Sequence, residues 1–272
     1  MLTDALKAET YRLWRDRGAV FWGFAFPGIG VFLLGIVASL FIRFVAKQQM
    51  PGAINLGSDT IGALGGAGSP ITQIFFLIAA AAIFGTDYRW ETWRLETPRN
   101  SRINLMLAKF AAYGLGVFLA LLGMAVGGLL SGLVRAVIET SPIAPFDFAT
   151  WQAGFLRGLV ASWLELMVVG VITALLAVLT RTNVAAIIVT LLLAFAQAII
   201  MGQVRIDPRE PPLDALASFP ALAANVVRGG PVDIGGATAN GAPAAVLMLV
   251  LWIVVFGGAA ILLFLRQELT RE

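Results

Sequence analysis

The sequence predicts an all-α polytopic membrane protein, on three observations. Its 272 residues are 59% hydrophobic and only 13% charged, whereas a soluble domain is about half apolar and about a quarter charged. Apolar runs of about 20 residues recur along the chain. The runs are continuous and lack the alternation, in segments of about 10 residues, that marks a transmembrane β-barrel. Cysteine and histidine are both absent, which excludes disulfides, Cys/His metal sites, thiol chemistry and His-based triads.

The elements follow in order. Residues 1–18, MLTDALKAETYRLWRDRG, mix acids and bases before any apolar run begins, unlike a cleavable signal peptide. Leu2, Leu6 and Leu13 share one helical face, Lys7, Tyr11 and Arg15 lie mainly opposite, and Trp14 falls near the boundary. An amphipathic helix in the membrane plane is expected. The first span is placed at 19–42, kinked at Pro27. The second covers 70–86; its clean apolar part is short, so it borrows from GALGGAGSP before it. The third, 104–134, is long enough to tilt or protrude. Its Gly114, Gly116, Gly123, Gly127 and Gly128 suit close helix packing. The remaining spans are 152–180, 184–202 and 243–265.

Between the spans, 43–69 reads as a Gly-rich loop and 135–151 as a second, with turns in SPIAPFD. Residues 180–183 form a tight turn, where Asn183 is a candidate cap for the next helix. The longest connection is 203–242. Within it Leu213, Leu216, Phe219, Leu222 and Val226 recur at helical spacing between Pro211-Pro212 and Gly229-Gly230. A short helix is expected there, either re-entrant or interfacial, or covering the mouth of the bundle. With six spans, twelve basic residues fall on the side of the termini and seven on the other, so both termini are expected in the cytoplasm.

Two features carry functional meaning. The first is the polar wedge between the second and third spans. On a helix, Arg89, Trp90, Trp93, Arg94 and Thr97 fall on one side and Asp87, Tyr88, Glu91, Thr92 and Leu95 on most of the other, with Glu96 following and Pro98 as the stop. Asp87 is expected at the helix start, where a carboxylate meets unpaired N–H groups. The pattern fits a surface helix, and equally an ordinary interfacial loop with an aromatic belt. The second is Glu165, inside the fourth span. An intramembrane acid costs about 2.5–3.5 kcal/mol on insertion scales. It either lines a substrate pathway, with Gln73 and Gln197 as weaker candidates, or makes a satisfied contact with a neighbour such as Gln197 or Thr173.

The chain contains no Gly-Lys pair, so it has no Walker-A phosphate loop. Two interfacial helices without an ATP site of their own suggest a membrane subunit docked on a cytoplasmic partner. This order of features resembles an ABC-2 type (type V) ABC transporter permease. That family has an elbow helix, six spans and a coupling helix between the second and third. Its loop commonly reads as an acid, Gly-Thr, Leu, Pro, Ser-Arg and Ala-Lys. Asp87, Thr92, Leu95, Pro98, Ser101-Arg102 and Ala108-Lys109 match in order, with Asp87 for the usual Glu and Glu91 for the usual Gly.

The resemblance implies one permease domain over 1–272, in a bacterial cytoplasmic (inner) membrane. Residues 1–18 would be the elbow and 87–97 the coupling helix, with Asp87, Tyr88, Arg89, Trp90, Glu91, Thr92, Trp93, Arg94, Leu95 and Glu96 contacting a separate ATPase. ATP and Mg would bind in that partner and no cofactor in this chain, which would not be an enzyme by itself. Two permease copies, identical or different, would pair with two ATPases among membrane lipid; nucleic acid is not an expected partner. A self-sufficient secondary transporter using Glu165 is the alternative; it would show inverted repeats and broken helices at midplane, and no repeat is evident. A lipid-active enzyme would want clustered acids, His or a Ser/His pair near one interface, and no such cluster occurs.

Overall fold

A computed structural model describes residues 2–47, 52–90, 101–203, 213–229 and 241–267. The described residues form helices and one isolated bridge between Ile54 and Ile143. Six helices are long and apolar enough to cross a membrane. This is the expected all-α polytopic protein.

Helix α1 (Leu2–Arg15) is separated from the first span by Asp16, whose carboxylate accepts a hydrogen bond from Ala19 N–H at 3.0 Å. The span itself, α2, runs continuously over Arg17–Val45. The disturbance expected at Pro27 takes the form of a π-helical turn at Phe21–Ala25, just before the proline. Widening that turn absorbs the missing donor and the ring.

The 43–69 segment is not simply a loop. Asn55 caps a helix, α3 (Leu56–Gly65), followed by a 3₁₀ turn at Gly66–Gly68 and then α4 (Pro70–Trp90). Leu64 and Ala67 are fully buried, which draws this Gly-rich stretch into the bundle. Helix α5 (Arg102–Glu139) starts behind the Ser101 cap and is about 57 Å long at 1.5 Å per residue. It exceeds both the predicted 104–134 and the hydrocarbon thickness of about 30 Å. Asp147 caps α6 (Phe148–Thr180), and α7 (Asn183–Gln203) follows a tight turn. The long connection contains two short helices, α8 (Leu213–Ser218) and α9 (Pro220–Arg228), broken at Phe219. Gly229, at φ 96°, ends α9 in the left-handed region that glycine tolerates. The last span is α10 (Ala242–Arg266).

Helix α6 is the hub: 72% of its apolar stretch is buried, against 11% for α7 and 17% each for α2 and α10, which keep broad faces for lipid. Helices α3 and α4 descend α6 as one interrupted path. Trp151 donates to the Thr60 hydroxyl at 2.9 Å, Ser162 donates to the Leu64 carbonyl at 2.7 Å, and Gly68 lies against the Glu165 carboxylate. The second span is therefore a broken helix, with its break beside the middle of α6. The short helix α9 belongs to the same interior. Leu222, Ala223, Ala224 and Val226 are buried, and Trp252, ten residues into α10, donates to the Ala217 carbonyl at 2.8 Å.

Small residues set the α2–α5 crossing. A Cβ on Gly127 would stand 2.3 Å from the Gly28 carbonyl oxygen, so the expected Gly123/Gly127 face is a close backbone contact. At the end of the bundle away from the termini, Arg135 donates to both Asp59 oxygens at 2.9 and 2.8 Å. Ile54 exchanges backbone bonds with Pro142 and Ala144 there.

Candidate functional site

The predicted residues gather in two places. The first is at the end of the bundle where α1 and the end of α10 meet. Asp87 is not a helix start: α4 runs through it to Trp90. Apolar and small residues continue up to Gly85 and Thr86, so nothing stops the helix there. Arg89 and Trp90 continue the α4 backbone, whereas Glu91, Thr92, Trp93, Arg94, Leu95 and Glu96 lie outside the described residues.

Asp87 and Lys109 are both completely buried. Lys109 Nζ stands 2.6 Å from Asp87 Oδ2, donates to both Glu9 oxygens at 3.0 Å and to the Ile83 carbonyl at 3.1 Å. Arg12 completes the group, 2.5 Å from Asp87 Oδ1 and 3.2 Å from Glu9 Oε1. Two acids and two bases on α1, α4 and α5 thus cancel in one knot, buried except for Arg12, whose side chain is 35% exposed. Paired charges are the form in which such burial is tolerable. Close by, Tyr88 donates to Gln267 Oε1 at 3.0 Å, and Arg102 donates to the carbonyls of Phe264, Leu265 and Gln267, capping the end of α10.

The second place is a cavity of about 330 Å³ beside the helix break. Glu165, Gln73 and Gln197, which the sequence singles out separately, all line it. Glu165 is 3% exposed and its Oε2 is ion-paired with Arg228 at the end of α9. That corrects the expected partner. Gln197 Nε2 makes no bond to Glu165, its Oε1 accepting from Ala221 N–H at 3.2 Å, and Thr173 gives its hydroxyl to its own helix at Val169 O, 2.8 Å. Arg228 also donates to Ser162 Oγ at 3.0 Å and to Asn225 Oδ1 at 3.0 Å, so the guanidinium is fixed. The available signal for Arg228 was a cation ending an otherwise apolar helical pattern. For Glu9 and Arg12 it was only their i, i+3 spacing.

A larger hollow of about 680 Å³ lies between α1, α2 and α5, with Trp14, Phe24, Leu115 and Leu119 among its walls. Lys7 is the one charged residue lining it among the described residues. It is the less selective of the two spaces, since apolar surface alone fixes no orientation.

Fold and site together define a polytopic α-helical membrane protein with a polar, charge-balanced cavity at a broken second span. No model of a known protein family matches the chain, and a search of curated proteins finds no match to it.

Proposed function

We propose that the chain is the membrane-spanning permease subunit of an ATP-driven ABC exporter, moving substrate by alternating access. On this reading α1 is the elbow, the 87–97 region couples to a separate cytoplasmic ATPase that holds ATP and Mg, and both termini are cytoplasmic. A second permease copy, identical or different, completes the membrane part in a bacterial inner membrane. The observation that carries the reading is the anchoring of the segment between α4 and α5. On one side stand Asp87 and Tyr88, on the other Arg102 and Lys109, and these tie it to α1, α4, α5 and α10. A load arriving at Asp87 and Tyr88 on one flank, or at Arg102 and Lys109 on the other, is shared among four helices.

The test is the Glu91→Arg, Arg94→Glu variant, expressed with its candidate ATPase. Truncating or reversing a desolvated interface charge costs about 2–5 kcal/mol, against about 0–1 kcal/mol for an exposed pair. Loss of ATPase co-purification and of substrate-stimulated hydrolysis is expected. Unchanged assembly and coupling would refute the assignment.

The break at Gly66–Gly68 beside Glu165 favours one other reading, a secondary transporter, because such proteins place broken helices at midplane sites. Transport by the chain alone in liposomes, driven by an ion gradient, would select it.

A further inference from the structure

We propose that the cavity beside the broken second span binds a small, uncharged molecule with an apolar body and a hydrogen-bond-donating head, such as a primary amide; on the transport reading above, that molecule is the cargo. The donors and acceptors around the cavity are unequal. Gln73 is 4% exposed, and its Nε2 donates to the Gly68 carbonyl at 3.1 Å. That bond fixes the orientation of the amide, because the flipped form would set two oxygens face to face. Its Oε1 is buried with no hydrogen-bond partner among the described residues. A buried acceptor left so has given up its water without a replacement bond, and such groups are rare outside sites with a use for them. Glu165 spends Oε2 on Arg228, and its Oε1 receives no hydrogen bond among the described residues. Two acceptors therefore line one space and lack donors among the described residues.

Charge decides the class of donor. Glu165 and Arg228 cancel, and Ser162 and Asn225 hold the guanidinium in place. A cation would meet that fixed positive charge and an anion would meet the Glu165 carboxylate. An uncharged N–H or O–H head meets neither penalty. Gln197 has its oxygen engaged by Ala221, and its Nε2 donates to none of the described residues, so it matches the carbonyl of an amide. Val169, Ile172, Leu193 and Met201 supply apolar walls. The volume of about 330 Å³ sits at the small end of the range of about 300–1,000 Å³ for ligand pockets. Gly68 is part of the fit: a Cβ there would stand 2.8 and 2.9 Å from the two Glu165 oxygens, so any side chain displaces the carboxylate.

The absence of cysteine gives a clean assay on the full chain in lipid nanodiscs. Ala194→Cys places a single thiol on the cavity wall, and its modification by N-ethylmaleimide is timed with three probes of one body: phenylbutanamide, phenylbutylammonium and phenylbutanoate. The amide is expected to slow modification about tenfold at a concentration roughly ten times its Kd, and the two ions to slow it little. Gln73→Leu should weaken the amide about tenfold, the loss of one hydrogen bond. If Gln73→Leu does not yield folded protein, Gln197→Leu should weaken it in the same direction.

Protection by an ion equal to that by the amide would overturn the uncharged class. No protection by the amide, or equal protection of a lipid-facing thiol at Leu192→Cys, would overturn the site. No ATPase is present in the assay. Failure here therefore leaves the permease reading standing, and failure of co-purification leaves this site standing.

Discussion

The two buried charge groups solve the same problem in opposite ways. The knot of Glu9, Arg12, Asp87 and Lys109 spends its carboxylates and its ammonium on one another, and it joins three helices. Both groups border open volume, about 240 Å³ beside Glu9 and Arg12 and about 330 Å³ beside Glu165, but the Glu165–Arg228 pair joins a span to a short helix and leaves acceptors unused around it among the described residues. A closed group behaves as a weld, since every charge depends on the others. An open one behaves as a site, since something else can complete it. The contrast teaches that burial of charge alone does not mark function; unspent bonding capacity beside it does.

The strongest break in that comparison is Lys109→Met. It leaves Glu9 and Asp87 buried with only Arg12 between them, and removing one member of a buried group costs about 3–5 kcal/mol. We expect a large drop in thermal stability in detergent, followed by tryptophan fluorescence. Adding Asp87→Asn restores neutrality and should return part of the loss. Next is Arg228→Met, which strands Glu165 beside the open volume of the cavity. Its cost is expected at about 1–3 kcal/mol in the same assay. A value for Arg228→Met equal to that for Lys109→Met would erase the distinction between weld and site.

The smallest effect belongs to a charge that is not buried. Asp147 caps α6, and its carboxyl is held below the ordinary value of 3.8, first by the Thr150 hydroxyl, then by the Thr150 and Ala149 N–H groups. A depressed folded value means the contribution is complete above the unfolded pKa and fades as pH falls through the folded one. Amide-exchange protection at Ala149 and Thr150 should therefore persist through the usual aspartate range near about pH 4 and decline only at lower pH, while protection in mid-α6 holds. Equal loss in both places would assign the change to the whole bundle.

Much of this was legible from hydropathy. All six spans fall where continuous apolar runs stand, because lipid demands the same length of apolar chain wherever it is crossed. What stayed hidden was everything held by distant contacts. LGSDTIGALG reads as a loop because its aspartate and three glycines dilute it. It is helical because Gly128 and Gly132 of α5 let it approach and Arg135 pairs with Asp59. Glu165 was legible as an anomaly, but its partner sits 63 residues away on a segment whose depth no local pattern reveals. Asp87 and Lys109 stand out as polar residues flanking the wedge, yet Glu9, 100 residues from Lys109, cannot be paired with it by spacing.

The chain order of these pairs bears on how the protein enters its membrane. In Glu9–Lys109, Asp59–Arg135 and Glu165–Arg228 the acid is synthesised first, by 100, 76 and 63 residues, whereas in Arg12–Asp87 the base comes first, by 75. At about 5–20 residues per second, Asp59 waits roughly 4–15 s for its arginine. Lys109, Arg135 and Arg228 are therefore made after the acids they pair with, and only Arg12 among these bases waits for an acid, Asp87.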